Sequence, residues 1–297
     1  MKSDFTAVEW AAMPDEQRKE ISRGEFGRMM MEQSARHVAA FWWVEPAPSS
    51  PFLICAGHPR VRNGSAFFVE IEGKLFCITA AHVYRGYLDA KARYPGLPCR
   101  LGERPIVFDA ENRLRSLGGT TAGVDNIDIA TFHVTREELR AIGKEAIVYP
   151  AGSWPPDHPF PDQQARIVGF PGISRLWINE TEVSWGLYCG APAVGNASDR
   201  QITFPFDRTS WVDSLGNGLP PEGMDLGGMS GGPVLFPTEK DREWSLNVGG
   251  VISEMPRSSL YEIVIAVPVH YIGADGKVLD ERSAPLKHYT PVKPSGG

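Results

Sequence analysis

Gly228–Leu235 reads GMSGGPVL, and the fold of this chain is decided by what that stretch is for. Three glycines and one serine fall within its first five residues. Glycines at 228, 231 and 232 let another backbone approach the main chain closely. A serine hydroxyl is a weak nucleophile at neutral pH. It needs a base within hydrogen-bond reach, a third group to orient that base, and donors aimed at the oxyanion that forms. A loop bared of side chains around one serine suits such donors, so the chain is searched for the base and the acid.

Seven histidines are available. His37 lies on an N-terminal helical segment, His58 and His158 lie in Pro-rich loops, and His133 sits inside a strand pattern. His270 follows IAVPV and His288 is in the tail. His82 differs: it ends FCITAAH, where a buried strand runs into two small residues and a turn. For the acid, GVDNIDIATFHV offers Asp125 and Asp128. Asp128 begins an apolar run, so its carboxylate is drawn into low dielectric and needs a partner such as a histidine N–H. Asp125 suits a solvated turn. Asp128 is therefore the expected orienting residue.

Around these residues the pattern is β. SAFFVEIEGKLFCITAAHVY holds two β-rich runs about EGK, a hairpin signal. RPIVFDA, IDIATFHV and EAIVYP follow. Five prolines between Pro150 and Pro161 then form a linker. Beyond it come ARIVGF, TEVSWGLYC, RQITFPF, GPVLF, NVGGVISE and EIVIAVPV. The expected fold is all-β: two antiparallel β-barrels with a short helical N-terminal extension. The expected division is a helical extension over 1–50, a first barrel over 51–150 with His82 and Asp128, and a linker over 151–164. A second barrel over 165–275 carries Ser230, and 276–297 form a mobile tail. Within the extension, two short helices are expected to break near Gly24.

Composition narrows the function classes. The 297 residues carry a net charge of −6 with no basic cluster, which argues against nucleic acid as a partner. The longest apolar runs, such as VAAFWWV, are seven residues, where a membrane span needs about 20. Acidic residues near the N-terminus interrupt any secretory leader. A soluble, cytoplasmic protein without membrane contact is expected. The four cysteines have no CxxC spacing, so no metal site or cofactor is expected, and in a reducing compartment no structural disulfide either.

With those residues in place, TAAH at 79–82, DIA at 128–130 and GMSGGP at 228–233 resemble the three signatures of trypsin-like, chymotrypsin-fold serine proteases, in that family's chain order. Flanking pieces resemble the bacterial branch, including HtrA-type proteases: GSAFFVEIEGKLFCITAAHV, RIVGFPG, VGGVISE and IAVPVHYI. The likeness covers roughly residues 60 to 272, and nothing before residue 50 takes part. It implies a serine endopeptidase with Ser230 as nucleophile, His82 as general base and Asp128 fixing the tautomer of His82. The N–H groups of Gly228 and Ser230 would form the oxyanion hole. It also implies a protein or peptide substrate. Digestive members carry Asp immediately before the serine; here Met229 stands there, expected to bury its side chain under the turn. Met224, six residues before Ser230, falls where a specificity pocket has its floor and suggests an uncharged preference. A one-residue shift would bring in Asp225 and favour Arg or Lys. Ser253 is expected to line the same pocket. The N-terminal helices, or a regulatory protein partner, are candidates for control.

Three rival readings stand beside this one. GMSGG fits the Gly-x-Ser-x-Gly elbow of α/β-hydrolases, but Pro233 begins a strand where that fold needs a helix. Only 67 residues follow Ser230, too few for the missing strand–helix units. A phosphate loop lacks the following Lys-Ser/Thr. The third rival is a catalytically silent protease fold that only captures peptides.

Overall fold

The computed structural model describes residues 5–46, 59–119, 127–179, 182–205, 213, 224–254 and 262–280. The chain opens with α1 (Ala7–Ala12), α2 (Asp15–Arg23) and α3 (Glu25–Arg36). Thr6 and Glu9 close a reciprocal capping box on α1, and Gly24 separates α2 from α3. β1 (Val38–Glu45) follows immediately, which corrects the expected helical extension to residue 50. Its run VAAFWWV is buried on both faces. Val38, Ala40 and Trp42 enter one core and Ala39, Phe41 and Trp43 another, so no polar alternation marks it as a strand.

The first sheet continues with β2 (Arg60–Ile71), β3 (Lys74–Thr79), β4 (Arg100–Leu101), β5 (Ile106–Val107), β6 (Leu114–Leu117), β7 (Ala130–His133) and β8 (Ile147–Tyr149). Three helices interrupt it: α4 (Ala81–Arg93), α5 (Ala110–Arg113) and α6 (Arg136–Ala141). The strand order is β5-β4-β1-β2-β3-β7-β6. Glu72 and Gly73, both at positive φ, make the two-residue turn between β2 and β3. β8 pairs with β2 in parallel, an exception to the otherwise antiparallel pairing.

The second sheet runs β12-β9-β15-β16-β17-β14-β13. Its strands are β9 (Arg166–Gly169), β12 (Tyr188–Gly190), β13 (Asn196–Ala197), β14 (Ile202–Pro205), β15 (Pro233–Lys240), β16 (Glu243–Glu254) and β17 (Ile263–Pro268). A separate hairpin, β10 (Arg175–Asn179) with β11 (Glu182–Trp185), stands off this sheet. The fold class is all-β, with two curled antiparallel sheets each wrapped on its own core in a two-barrel arrangement. Phe41, Phe68, Tyr84, Phe108 and Phe132 pack inside the first. Ile167, Phe204, Met229, Val234 and Ile252 pack inside the second. A third cluster, including Trp42, Phe67, Val168, Phe170, Leu235 and Val248, joins the two.

Both flanking segments are tied to that joint. Met30 of α3 is fully buried in it. Phe5 stacks on Trp10, Phe26 packs against both, and Phe5 and Phe26 meet Trp244 of β16 edge to face. In the Pro-rich linker Trp154 is buried and donates from Nε1 to the Ile272 carbonyl at 2.6 Å. Residues 276–279, expected in a mobile tail, are tied to the body: Thr131 Oγ1 donates to the Gly276 carbonyl at 2.6 Å and Leu279 N–H to that of Tyr271 at 2.7 Å, while 281–297 lie outside the described residues. Among the described residues no helix is long and apolar enough to cross a membrane. Cys77, Cys99 and Cys189 are free thiols, and Cys55 lies outside the described residues.

Candidate active site

β3 and β7 are neighbours with Thr79 opposite Ala130. That register puts Asp128, two residues before β7, beside the junction of β3 with α4, where His82 is the second helical residue. Two residues far apart in sequence are thereby joined twice. The His82 backbone N–H donates to Asp128 Oδ1 at 2.8 Å, and His82 Nδ1 meets Oδ2 at 2.7 Å. Burial acts to raise the Asp128 carboxyl. The hydrogen bond and charge of His82, with the Ser253 hydroxyl, outweigh it and hold the group below the usual carboxylate range. An ionised carboxylate only accepts, so Nδ1 carries the hydrogen and Nε2 is left as an acceptor. The His82 side chain is 48% exposed and that of Asp128 15%, the disposition of a base open to a ligand and an anchor beneath it. Asp125, the other candidate acid, lies outside the described residues.

Ser230 belongs to the second sheet, in the turn before β15. Gly228 and Gly231 adopt φ of +102° and +87°, a region that side chains disfavour. A Cβ on Gly231 would stand 2.1 Å from Thr79 Oγ1 and 2.2 Å from the Ser65 carbonyl. These glycines are required by the close approach of the first sheet. Across that contact the Ser65 N–H donates to the Ser230 carbonyl at 2.8 Å, and Ser65 Oγ to the Gly228 carbonyl at 2.9 Å. The Gly172 N–H donates to the Gly227 carbonyl at 2.6 Å. Three carbonyls of the turn are therefore held by partners outside it. Among the described residues no acceptor meets the N–H of Gly228 or of Ser230. Met229 is fully buried in the second core, so its side chain plugs the turn from below.

Ser253 joins the two halves of the site. Its hydroxyl donates to Asp128 Oδ2 at 2.5 Å, and its carbonyl accepts from Ser230 Oγ at 3.1 Å. The Ser253 side chain, expected to line a specificity pocket, is bonded to Asp128. Among the described residues the hydroxyl of Ser230 makes this one hydrogen bond, and none to His82. Met224 packs against the second core. Asp225 Oδ1 accepts the Gly227 N–H at 2.8 Å, bracing the turn locally. The Cys77 and Cys99 thiols are raised by burial, which makes them poor nucleophiles. Among the described residues no three His, Cys, Asp or Glu cluster to hold a metal.

Two supporting residues escaped the sequence reading, Ser65 and Gly172. Ser65 stands at the head of a hairpin pattern, and nothing in its neighbours signals a contact with a turn 163 residues away.

No family model and no curated protein matches this chain. Among solved structures, the serine protease domain of the Sesbania mosaic virus polyprotein is 14% identical, with a TM-score of 0.41 over 80% of this chain and 90% of that one. A thermostable serine protease, AL20, from an extremophilic microorganism is 13% identical, with a TM-score of 0.41 over 80% and 92%. Likenesses this distant leave the activity to be argued from the geometry above. The HtrA-type branch expected from the flanking motifs has no support and is dropped.

Proposed function

We propose that this chain is a serine endopeptidase that cleaves peptide bonds through Ser230, His82 and Asp128. The observation that carries the reading is the doubly bonded His82–Asp128 pair. It leaves Nε2 of His82 as the acceptor, and Ser253 links Asp128 to the Ser230 turn, whose Gly228 and Ser230 N–H groups meet no acceptor among the described residues. In the proposed reaction Ser230 Oγ turns from the Ser253 carbonyl, passes its proton to His82 Nε2 and attacks the scissile carbonyl carbon. The N–H groups of Gly228 and Ser230 receive the oxyanion. The proton on His82 passes to the leaving amine as the C–N bond breaks, leaving an acyl ester on Ser230. Water, deprotonated by His82, then releases the acid. Met224 favours uncharged side chains at the cleaved position, with Asp225 engaged at the Gly227 N–H.

One observation favours a second reading, a silent peptide-binding module: Ser230 Oγ is bonded to Ser253 and not to His82. Catalytic hydrogen bonds often tighten only when substrate binds. Labelling with a fluorophosphonate separates the two. Because Met229 packs the turn and needs no cut N-terminus as partner, the intact 297-residue chain should carry the adduct on Ser230 by mass spectrometry, and Ser230→Ala should carry none. Absence of the adduct from a folded wild-type chain would leave the binding module.

A further inference from the structure

The turn that carries Ser230 is held from outside, and the supports converge on the backbone of Phe170. Asn63 Nδ2 donates to the Phe170 carbonyl at 2.8 Å. The Phe170 N–H donates to Ser65 Oγ at 2.9 Å, and the same hydroxyl donates onward to the Gly228 carbonyl at 2.9 Å. Arg175 Nη1 donates to Asn63 Oδ1, which fixes which way the amide faces: oxygen to the guanidinium, nitrogen to Phe170. Ser65 and Phe170 are buried. Two residues after Phe170, Gly172 donates to the Gly227 carbonyl. A peptide unit is planar, so a carbonyl held on one side sends the next N–H the opposite way. Holding the Gly227 carbonyl against Gly172 therefore aims the Gly228 N–H away from Gly172.

We infer that Asn63, Ser65 and Arg175 are positioning residues: they clamp Phe170–Gly172 against the first sheet so that the 227–228 peptide presents its N–H to the substrate oxyanion. The inference rests on the proposed endopeptidase and adds how its oxyanion donors are set. Asn63 and Ser65 come from β2, while the donors lie in the turn before β15. The oxyanion site is thus complete only while the two sheets are docked at this point. Arg175 opens β10, so the hairpin β10–β11 is tied to the same bracket. None of the three touches the reacting atoms.

The test compares Asn63→Ala, Asn63→Asp and Arg175→Lys with the wild-type chain. Asn63→Asp keeps an acceptor for Arg175 but loses the donor to Phe170, so it should fail as Asn63→Ala does. Arg175→Lys, which keeps a donor, should lose less. For both Asn63 variants kcat on a peptide ester should fall about 10- to 100-fold with KM within twofold, the mark of lost oxyanion stabilisation. Affinity for a peptide boronate, which makes a tetrahedral adduct, should fall in parallel, while the matching peptide alcohol binds as before. Amide hydrogen exchange over residues 226–231 should quicken, and the low-field Nδ1 proton of His82 should stay put. A kcat within threefold of wild type, or unchanged exchange over 226–231, would overturn the inference. Exchange needs no turnover, so it judges the bracket even if the wild-type chain fails to take the fluorophosphonate, a result that would count against the endopeptidase alone.

Discussion

The His82–Asp128 pair and the Ser230 turn are supported in opposite ways. The pair is joined directly, with the Ser253 hydroxyl added to Asp128 from the second sheet. Both residues come from the first sheet, and two hydrogen bonds run directly between them. The turn is dependent. The Ser230, Gly228 and Gly227 carbonyls are held by Ser65 and Gly172, and the Gly231 N–H donates to Ile252 at 2.7 Å. The difference teaches where a disturbance is felt. Loosening the contact between the sheets leaves the base and its anchor together, while it frees the turn that positions the nucleophile and the oxyanion donors.

The largest effect expected is the loss of either end of this system. His82→Ala and Ser230→Ala should each lower kcat about a million-fold, and the double variant should be hardly worse, since such residues act as one unit. Asp128→Asn should cost about ten-thousand-fold by leaving His82 in the wrong tautomer. Steady-state kinetics on a peptide ester, with circular dichroism to confirm folding, checks all four. If the two single losses instead add in the double variant, the pair and the turn are not one device.

The dependence of the turn predicts a larger stability effect there than at the pair. Gly231→Ala must put a methyl against Thr79 and Ser65 at a backbone angle that resists one. A loss of about 2–4 kcal/mol is expected on denaturant unfolding. His82→Ala, at a half-exposed position, should change stability by less than about 1 kcal/mol. Equal losses in the two variants would contradict the contrast between a tight sheet-to-sheet contact and an open base.

How far these features were legible depends on how local their causes are. The β2–β3 hairpin was readable, because EGK between two apolar runs carries its own turn chemistry. The break at Gly24 was readable too. β1 was not, since a strand buried on both faces has no alternation. α4 was missed although Val83, Tyr84, Tyr87 and Ala90 fall at helical spacing and are all buried; the apolar strand before it drew the reading toward a turn. In the site, His82 and Asp128 were legible as a histidine at a strand end and an acid opening an apolar run. The bond from Ser253 to Asp128 was not legible. The two residues come from different sheets, and no pattern along one chain segment encodes that.

Acid should separate the two halves by the smallest of these effects. In the second half, His270 is buried in the turn after β17, its ring 5.4 Å from that of His158 in the linker. Among the described residues its buried Nε2 meets no hydrogen-bond partner. Burial, followed by the charge of His158, pushes its pKa down to about 4, while the charge and then the backbone of Asp199 oppose the shift. An unfolded histidine titrates near 6.5. Below that pH the unfolded chain takes up a proton that the folded chain refuses until about pH 4, so this contribution is intact above 6.5 and declines as pH falls toward 4. The loss at pH 5 is about 2 kcal/mol relative to pH 7. Asp128 has the opposite dependence in a lower window. Its carboxyl is depressed in the folded state, so the stability from its pairing is present above the ordinary carboxylate range and is lost only as pH falls through that lowered value. Acidification to pH 5 should therefore weaken the second half while leaving the His82–Asp128 tether ionised on its acidic side. Denaturant unfolding at pH 7 and pH 5 measures the change, and His270→Leu should remove about 2 kcal/mol of it. An unaltered acid loss in His270→Leu would show that this histidine is not the group responsible.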